Sequence, residues 1–454
     1  MNKKQLLLGV SLVLYLLFFL PIFDWDMKWK AVVALVIIQI LWIGKVFPLA
    51  FSSLLFVLLL SFHFFSYEES LSYFSSGIVW LLFSTFIISK AFIDTGLASR
   101  VSLSMLKLSS GSGKALILIS FLLMFVLSVL VPSNVGKASL VSSVLDSLVR
   151  SLKKIGEVRQ LAKSLFIGIA YLAAISGAFV ATGASSTIYT FGILSDISPD
   201  INYLKWFLLF GIPIFLFIII LWIIFLVKFP PETVDRNLLL NLIEEKIKEL
   251  GRVSAREKKV MAIIGLTLLL WMTQSWHGYS IPQIGLLGAC MTVLPFVGVW
   301  NWEQARKSID WDMILFFAST LMVSGMLIKT ETIDWMAGSL NSLLVGHSPW
   351  MVVLILVLCT SILRIVFVNI LGFLTIMLPL AVTIGENMPG VSPMYIAMPV
   401  FLAGVPGFFL VTQSPVHLIS YTYGHFTDKD LFRVGSVASL VWIGIILCSV
   451  FFYW

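Results

Sequence analysis

The chain has 454 residues, 59% hydrophobic and only 12% charged, at a mean hydropathy of +1.02. A water-soluble core cannot hide that much apolar surface, so the composition excludes a soluble enzyme or scaffold and points to an all-α polytopic protein with lipid as its solvent. A net charge of +7 would suggest nucleic acid in a soluble protein. Here its distribution assigns it to membrane topology, and no nucleic-acid partner is expected. Cys290, Cys359 and Cys448 are scattered in apolar runs, which gives neither a disulfide framework nor a thiolate metal cluster.

Apolar segments of spanning length fall at 5–23, 30–47, 49–66, 77–94, 164–195, 205–228, 260–275, 283–299, 311–329, 394–423 and 434–453, about eleven crossings. The first follows Met1-Asn2-Lys3-Lys4 and ends at Phe19-Leu20-Pro21 without a small-residue cleavage site, so it reads as a retained helix. Two further apolar regions, 115–150 and 350–386, are interrupted at mid-length and read as re-entrant hairpins. The stretch 229–259 alternates Leu/Ile with Glu/Lys at helical spacing and suits an amphipathic helix on the membrane surface. With the N-terminus cytoplasmic, about 23 of the 30 Lys and Arg lie inside. Four (Lys28, Lys30, Lys205, Lys329) lie outside and three (Lys90, Lys137, Arg364) within membrane segments. The expected location is therefore the cell membrane, multi-pass.

One offset relates the two halves. Ile78–Thr85 aligns with Met313–Thr320 at 235 positions, and the same shift places Glu68 on Glu303 and Asn134 on Asn369. The span carrying Ser84 runs inward and the one carrying Ser319 outward, so the chain reads as an inverted duplication, a build used by secondary transporters. Its parts are an extra N-terminal helix (1–29), a first repeat (30–228), the connector (229–259) and a second repeat (260–454). The hairpin tips at Asn134 and Asn369 are expected to meet near the midplane.

The strongest candidate site is Pro132-Ser133-Asn134-Val135-Gly136-Lys137. A proline, a glycine and a lysine in hydrocarbon require an unwound backbone, whose amides attract anions and whose carbonyls hold cations. A kink packed by small residues is the competing reading. Val368-Asn369-Ile370-Leu371-Gly372 is its weaker counterpart, and two further breaks lie at Gly183-Ala184-Ser185-Ser186-Thr187 and Gln413-Ser414-Pro415-Val416-His417. Close helix packing competes as an explanation of the first break. His417 is a candidate proton-coupling group, against a plain hydrogen bond to a neighbour.

These features resemble the divalent-anion/sodium symporter family, within the ion-transporter superfamily of dicarboxylate, citrate and sulfate carriers. Leu41-Trp42-Ile43-Gly44-Lys45-Val46-Phe47-Pro48 is similar to its early Trp-to-Pro segment, Asn301-Trp302-Glu303 before Asp310-Trp311 to the approach to its ninth helix, and Tyr423-Gly424 with Asp430 to Gly435 to its final loop. The family's Ser-Asn-Thr signature stands here as Ser133-Asn134-Val135 and Val368-Asn369-Ile370. The resemblance implies substrate contacts at Ser133, Asn134 and Val135, at Asn369 and Ile370, and at Ser185, Thr187, Ser414 and Pro415, while Lys137 is a candidate contact through its own charge. It also implies Na+ as a coupling ion, held by Ser133, Asn134, Gly183, Asn369 and Gln413, no other cofactor, and a homodimer.

The departures point elsewhere for coupling. Signature hydroxyls are lost, whereas Lys137 stands at one tip and Arg364 five residues ahead of Asn369. Fixed positive charge can compensate an anionic substrate as bound sodium does. An internal ion pair is the competing reading for Arg364, and snorkelling competes for both. The expectation is a secondary carrier of a small anion with weak or absent sodium coupling. The alternatives are a cation/proton antiporter of the same superfamily, a channel, or a membrane enzyme. For the last, no His-Glu-x-x-His, metal cluster or phosphate loop is present in the sequence.

Overall fold

The computed structural model describes residues 2–21, 23–154, 156–344 and 347–454, and every regular element among them is helical. Six helices are long and apolar enough to cross a bilayer: Gly77–Asp94, Gly113–Leu130, Arg159–Gly177, Tyr203–Lys228, Trp311–Lys329 and Asp428–Phe452. Shorter apolar helices, Leu49–His63, Ile281–Val293, Pro349–Leu363, Ile370–Glu386 and Pro393–Gly404, fall on the expected segments 49–66, 283–299, 350–386 and 394–423, while Met27–Ile43 and Ala255–Met272 occupy 30–47 and 260–275. Each element keeps its backbone bonds within itself, as lipid demands. The protein is an all-α polytopic membrane protein.

Both interrupted regions form helix pairs. Gly113–Leu130 is followed by Asn134–Lys153, and Pro349–Leu363 by Ile370–Glu386. The breaks occur where expected, because Ser133 and Asn369 restart the second helix as N-caps. Each broken span is likewise two helices around a buried loop: Arg159–Gly177 with Ser185–Ile197, and Pro393–Gly404 with Pro415–Thr422. The connector contains a helix at Arg236–Glu249, and the next helix starts at Ala255, five residues ahead of the expected span, because Ser254 and Glu257 form a capping box.

Two short helices had not been anticipated. Leu97–Lys107 follows Gly77–Asp94, and Thr332–Leu344 follows Trp311–Lys329 at the same 235-residue shift. A residue in the left-handed region makes the turn in both places. It is Gly96 (φ 87°) in the first and Glu331 (φ 53°) in the second, again 235 apart.

Packing follows the same correspondence. Gly77–Asp94 lies against Ile281–Val293, while its counterpart Trp311–Lys329 lies against Leu49–His63, the counterpart of Ile281–Val293. Asn134–Lys153 packs on Arg159–Gly177 and on Pro415–Thr422 of the other half. Ile370–Glu386 packs in the matching way on Pro393–Gly404 and on Ser185–Ile197. Each hairpin therefore sits between the broken span of its own half and the terminal piece of the other.

Candidate functional site

In the first half, the hairpin tip, Arg159–Gly177 and the loop after it converge on Lys137. Its side chain is fully buried. The ammonium lies 2.5 Å from Ser128 Oγ, 3.5 Å from Ser176 Oγ and 3.1 Å from the Gly183 carbonyl. Ser133 Oγ accepts from Gly136 N at 3.1 Å, and Thr187 Oγ1 donates to the Gly177 carbonyl at 2.7 Å, which ties the loop ends together. Asn134 Oδ1 is buried against Gly177, where an added Cβ would stand 2.7 Å from it, and has no hydrogen-bond partner. Ser133, Asn134, Lys137, Gly183 and Thr187 thus form one centre. Ser185 begins the next helix beside it, and Val135 is exposed.

The second half builds a different centre of the same kind around Arg364, which caps the C-terminus of Pro349–Leu363 and is buried. Its Nε donates to the Gly404 carbonyl at 3.0 Å, and Nη1 donates to the carbonyls of Phe367 and, at 3.5 Å, Gln413. Gln413 Nε2 returns a bond to the Arg364 carbonyl at 3.2 Å, while its Oε1 accepts from Phe409 N and Leu410 N. Nη2 is buried without a partner. Asn369 Oδ1 accepts from Leu371 N at 3.0 Å and Gly372 N at 3.3 Å. Ser414 caps the helix that Pro415 opens, by accepting from Val416 N at 3.3 Å, and Ile370 follows Asn369 at the tip. His417 Nδ1 lies 2.9 Å from the Leu410 carbonyl, the neighbour-bonded arrangement.

Among the described residues, neither Lys137 nor Arg364 has a carboxylate partner, and no hydrogen bond or ion pair joins the two centres. The ion-pair reading of Arg364 therefore fails: carbonyls hold it. Two buried cations without counter-ions are electrostatically suited to a mobile anion. The side-chain amide nitrogens of Asn134 and Asn369 also have no protein acceptor among the described residues, which leaves a donor free at each tip.

Sequence reasoning missed Ser128 and Ser176. Each also bonds a carbonyl of its own helix, Met124 and Ala173 respectively, so in sequence they look like ordinary membrane serines. A cavity of about 20 Å³ touches the first tip at Val129, Leu130 and Pro132 and is also lined by Thr85, Thr267 and Trp271. A larger one, about 440 Å³, lies away from both centres and is lined by Asp196, Asp334 and Glu386, which repel an anion.

The model of the sodium:sulfate symporter transmembrane region matches residues 2–454. A citrate/succinate antiporter of Escherichia coli (strain K12) is 26% identical over 385 residues, covering 82% of this chain and 78% of that one. A sodium-dependent dicarboxylate transporter of Staphylococcus aureus (strain MSSA476) is 26% identical over 483 residues, covering 98% and 90%. From a match that runs essentially end to end, the chain belongs to the sodium:sulfate symporter transmembrane family, as a multi-pass secondary transporter of small anions and not an enzyme.

Proposed function

We propose that this chain exchanges small carboxylate anions across the cell membrane by alternating access and does not require sodium. The observation that carries the reading is the pair of side-chain cations, Lys137 and Arg364, each set among oxygens that a metal ion would otherwise use. Of the five oxygens expected to hold sodium, Asn134 Oδ1 alone among the described residues is uncommitted. Ser133 Oγ, Asn369 Oδ1 and Gln413 Oε1 accept backbone amides, and the Gly183 carbonyl accepts Lys137. These bonds turn the oxygens toward backbone donors and Lys137, which supports a site built without sodium.

The fixed charges also favour exchange over net flux. When the anion leaves, two cations remain uncompensated in a low-dielectric body, which resists crossing until another anion binds. The matched packings of the two halves support a repeat, which the Lys/Arg distribution orients with the N-terminus inside, and the hairpins and broken spans carry the site. The substrate contacts are Asn134 and Asn369 with the flanking Ser133, Val135 and Ile370, and the breaks at Ser185, Thr187, Ser414 and Pro415 close around them. The carboxylate class is supported by the substrates in the relatives' names. A homodimer is the expected assembly. A cation antiporter needs a carboxylate at the site, and neither centre has one.

Counterflow in liposomes tests this. Purified protein enclosed with unlabelled succinate or citrate takes up the labelled anion equally in choline and in sodium buffers. Uptake that appears only with sodium refutes the reading.

A further inference from the structure

The loop that follows helix Ile281–Val293 turns apolar side chains outward. Phe296 is 96% exposed, more than any other large apolar residue described, and Leu294 and Val297 beside it are exposed as well. Phe296 also lies in the left-handed region at φ 68°, where a β-carbon is crowded and glycine is the unstrained choice. An aromatic ring held there without burial in the protein is strain that the fold does not recover within itself.

The loop is nevertheless firmly built. Gly298 N donates to the Leu294 carbonyl at 2.7 Å and Val299 N to the Thr292 carbonyl at 2.8 Å, and a Cβ added to Gly298 would stand 2.4 Å from that same Thr292 oxygen. Trp300 Nε1 donates to Thr292 Oγ1 at 3.0 Å. Two cations from the start of Ala255–Met272 brace the tip. Lys259 Nζ donates to the carbonyls of Phe296 at 2.6 Å and Gly298 at 3.3 Å, and Arg256 Nε donates to the Val299 carbonyl at 3.1 Å. Three positions apart on one helix, they share a face.

Those bonds leave charge uncompensated. Among the described residues neither Arg256 nor Lys259 has a carboxylate partner: Glu257 between them is taken by Arg100, and Glu303 pairs with neither. Both Nη groups of Arg256 and the third hydrogen of the Lys259 ammonium have no protein acceptor among the described residues. An apolar tip flanked by two such cations is complementary to the boundary layer of a bilayer, where acyl chains adjoin phosphates. The Lys/Arg distribution puts the loop at the cytoplasmic leaflet.

We propose that residues 294–299 are a docking site for anionic phospholipid, in which Phe296 enters the acyl layer and Arg256 and Lys259 hold the headgroup phosphate. The ring is then buried in lipid, which accounts for an exposed aromatic on a strained backbone. Because Ile281–Val293 packs on Gly77–Asp94, lipid bound here steadies that span of the first repeat as well.

The test titrates the purified full chain in detergent with phosphatidylglycerol, phosphatidylcholine or inorganic phosphate and reads the melting temperature. Two cations at the lipid surface give phosphatidylglycerol a preference of about thirtyfold over phosphatidylcholine, and inorganic phosphate has no effect. Arg256→Gln/Lys259→Gln keeps donors for the loop carbonyls but loses that preference. Phe296→Gly relieves the left-handed strain, so without lipid it melts no lower than wild type. It binds both lipids about tenfold more weakly because the apolar contact is gone, and Phe296→Leu recovers most of the loss. Equal responses of wild type to the two lipids, stabilisation by inorganic phosphate alone, or wild-type lipid binding in Phe296→Gly overturns the proposal. An undiminished preference in the double variant does the same. So does a dimer that becomes a monomer in Phe296→Gly on size exclusion, because a second copy of the chain then covers the tip.

Discussion

Replacing Lys137 by alanine isolates the role of the fixed charge. The ammonium is donor to two hydroxyls and one carbonyl, but Ser128 and Ser176 keep their own bonds to Met124 and Ala173, so only the Gly183 carbonyl loses a partner. An unsatisfied buried carbonyl costs about 1–3 kcal/mol. No longer burying an unpaired ammonium offsets this, so the variant stays folded. The effect on binding is larger. At an effective dielectric of about 20, a unit charge about 8 Å away contributes about 2 kcal/mol, or about thirtyfold in affinity for each negative charge of the substrate. The variant also vacates a cage of oxygens from Ser128, Ser176 and Gly183 beside the unpartnered Asn134 Oδ1. Sodium then partly restores uptake in Lys137→Ala, although wild type is indifferent to it. Labelled-anion uptake across a sodium series, with thermal melts as a folding control, reads both effects. Wild-type affinity in the variant, without any response to sodium, would refute the reasoning.

Glu331→Gly relieves a left-handed side chain while giving up an exposed contact to Lys28 at 3.6 Å. The net is a gain of about 1 kcal/mol, visible as a rise in melting temperature. Gly177→Ala drives a methyl to 2.7 Å from Asn134 Oδ1 and 2.9 Å from Ala184 Cβ. Uptake is expected to fall at least about tenfold while the protein still elutes as a single species, because small displacements at a binding centre are felt strongly. Arg100 grips Glu257 at 2.6 Å and the carbonyls of Leu250, Gly251 and Arg252, and its bond holds the Glu257 carboxyl below the usual glutamate value. A depressed folded-state value means that this stabilisation is complete above the ordinary value of 4.5 and drains as pH falls through the lowered one. Melting temperature should therefore drop below that point more steeply in wild type than in Glu257→Gln.

Much of the fold was readable because polar residues inside apolar runs are conspicuous. Pro132 to Lys137 and Asn369 marked both hairpin tips, where Ser133 and Asn369 cap the second helices. Helices Leu97–Lys107 and Thr332–Leu344 escaped because they are too short to span and carry polar faces, although the 235-residue shift linked them. Lys137 and Arg364 were legible as charges, but their environments were not. Backbone carbonyls of Gly183, Phe367 and Gly404 carry no side-chain signal, so only the folded chain could reveal that they surround the cations.

In a duplicated chain, features inherited from the ancestor occupy corresponding positions, as Asn134 and Asn369 do. The two cations do not. Lys137 corresponds to Gly372, and Arg364 to Val129. One projects from the helix after its tip and the other from the helix before it, yet each ends against the backbone of the adjacent break. The two charges therefore occupy non-equivalent positions of the repeat. A cation thus meets the carbonyls of the break in each half from a different position, so the charge follows the break and not the register of the repeat.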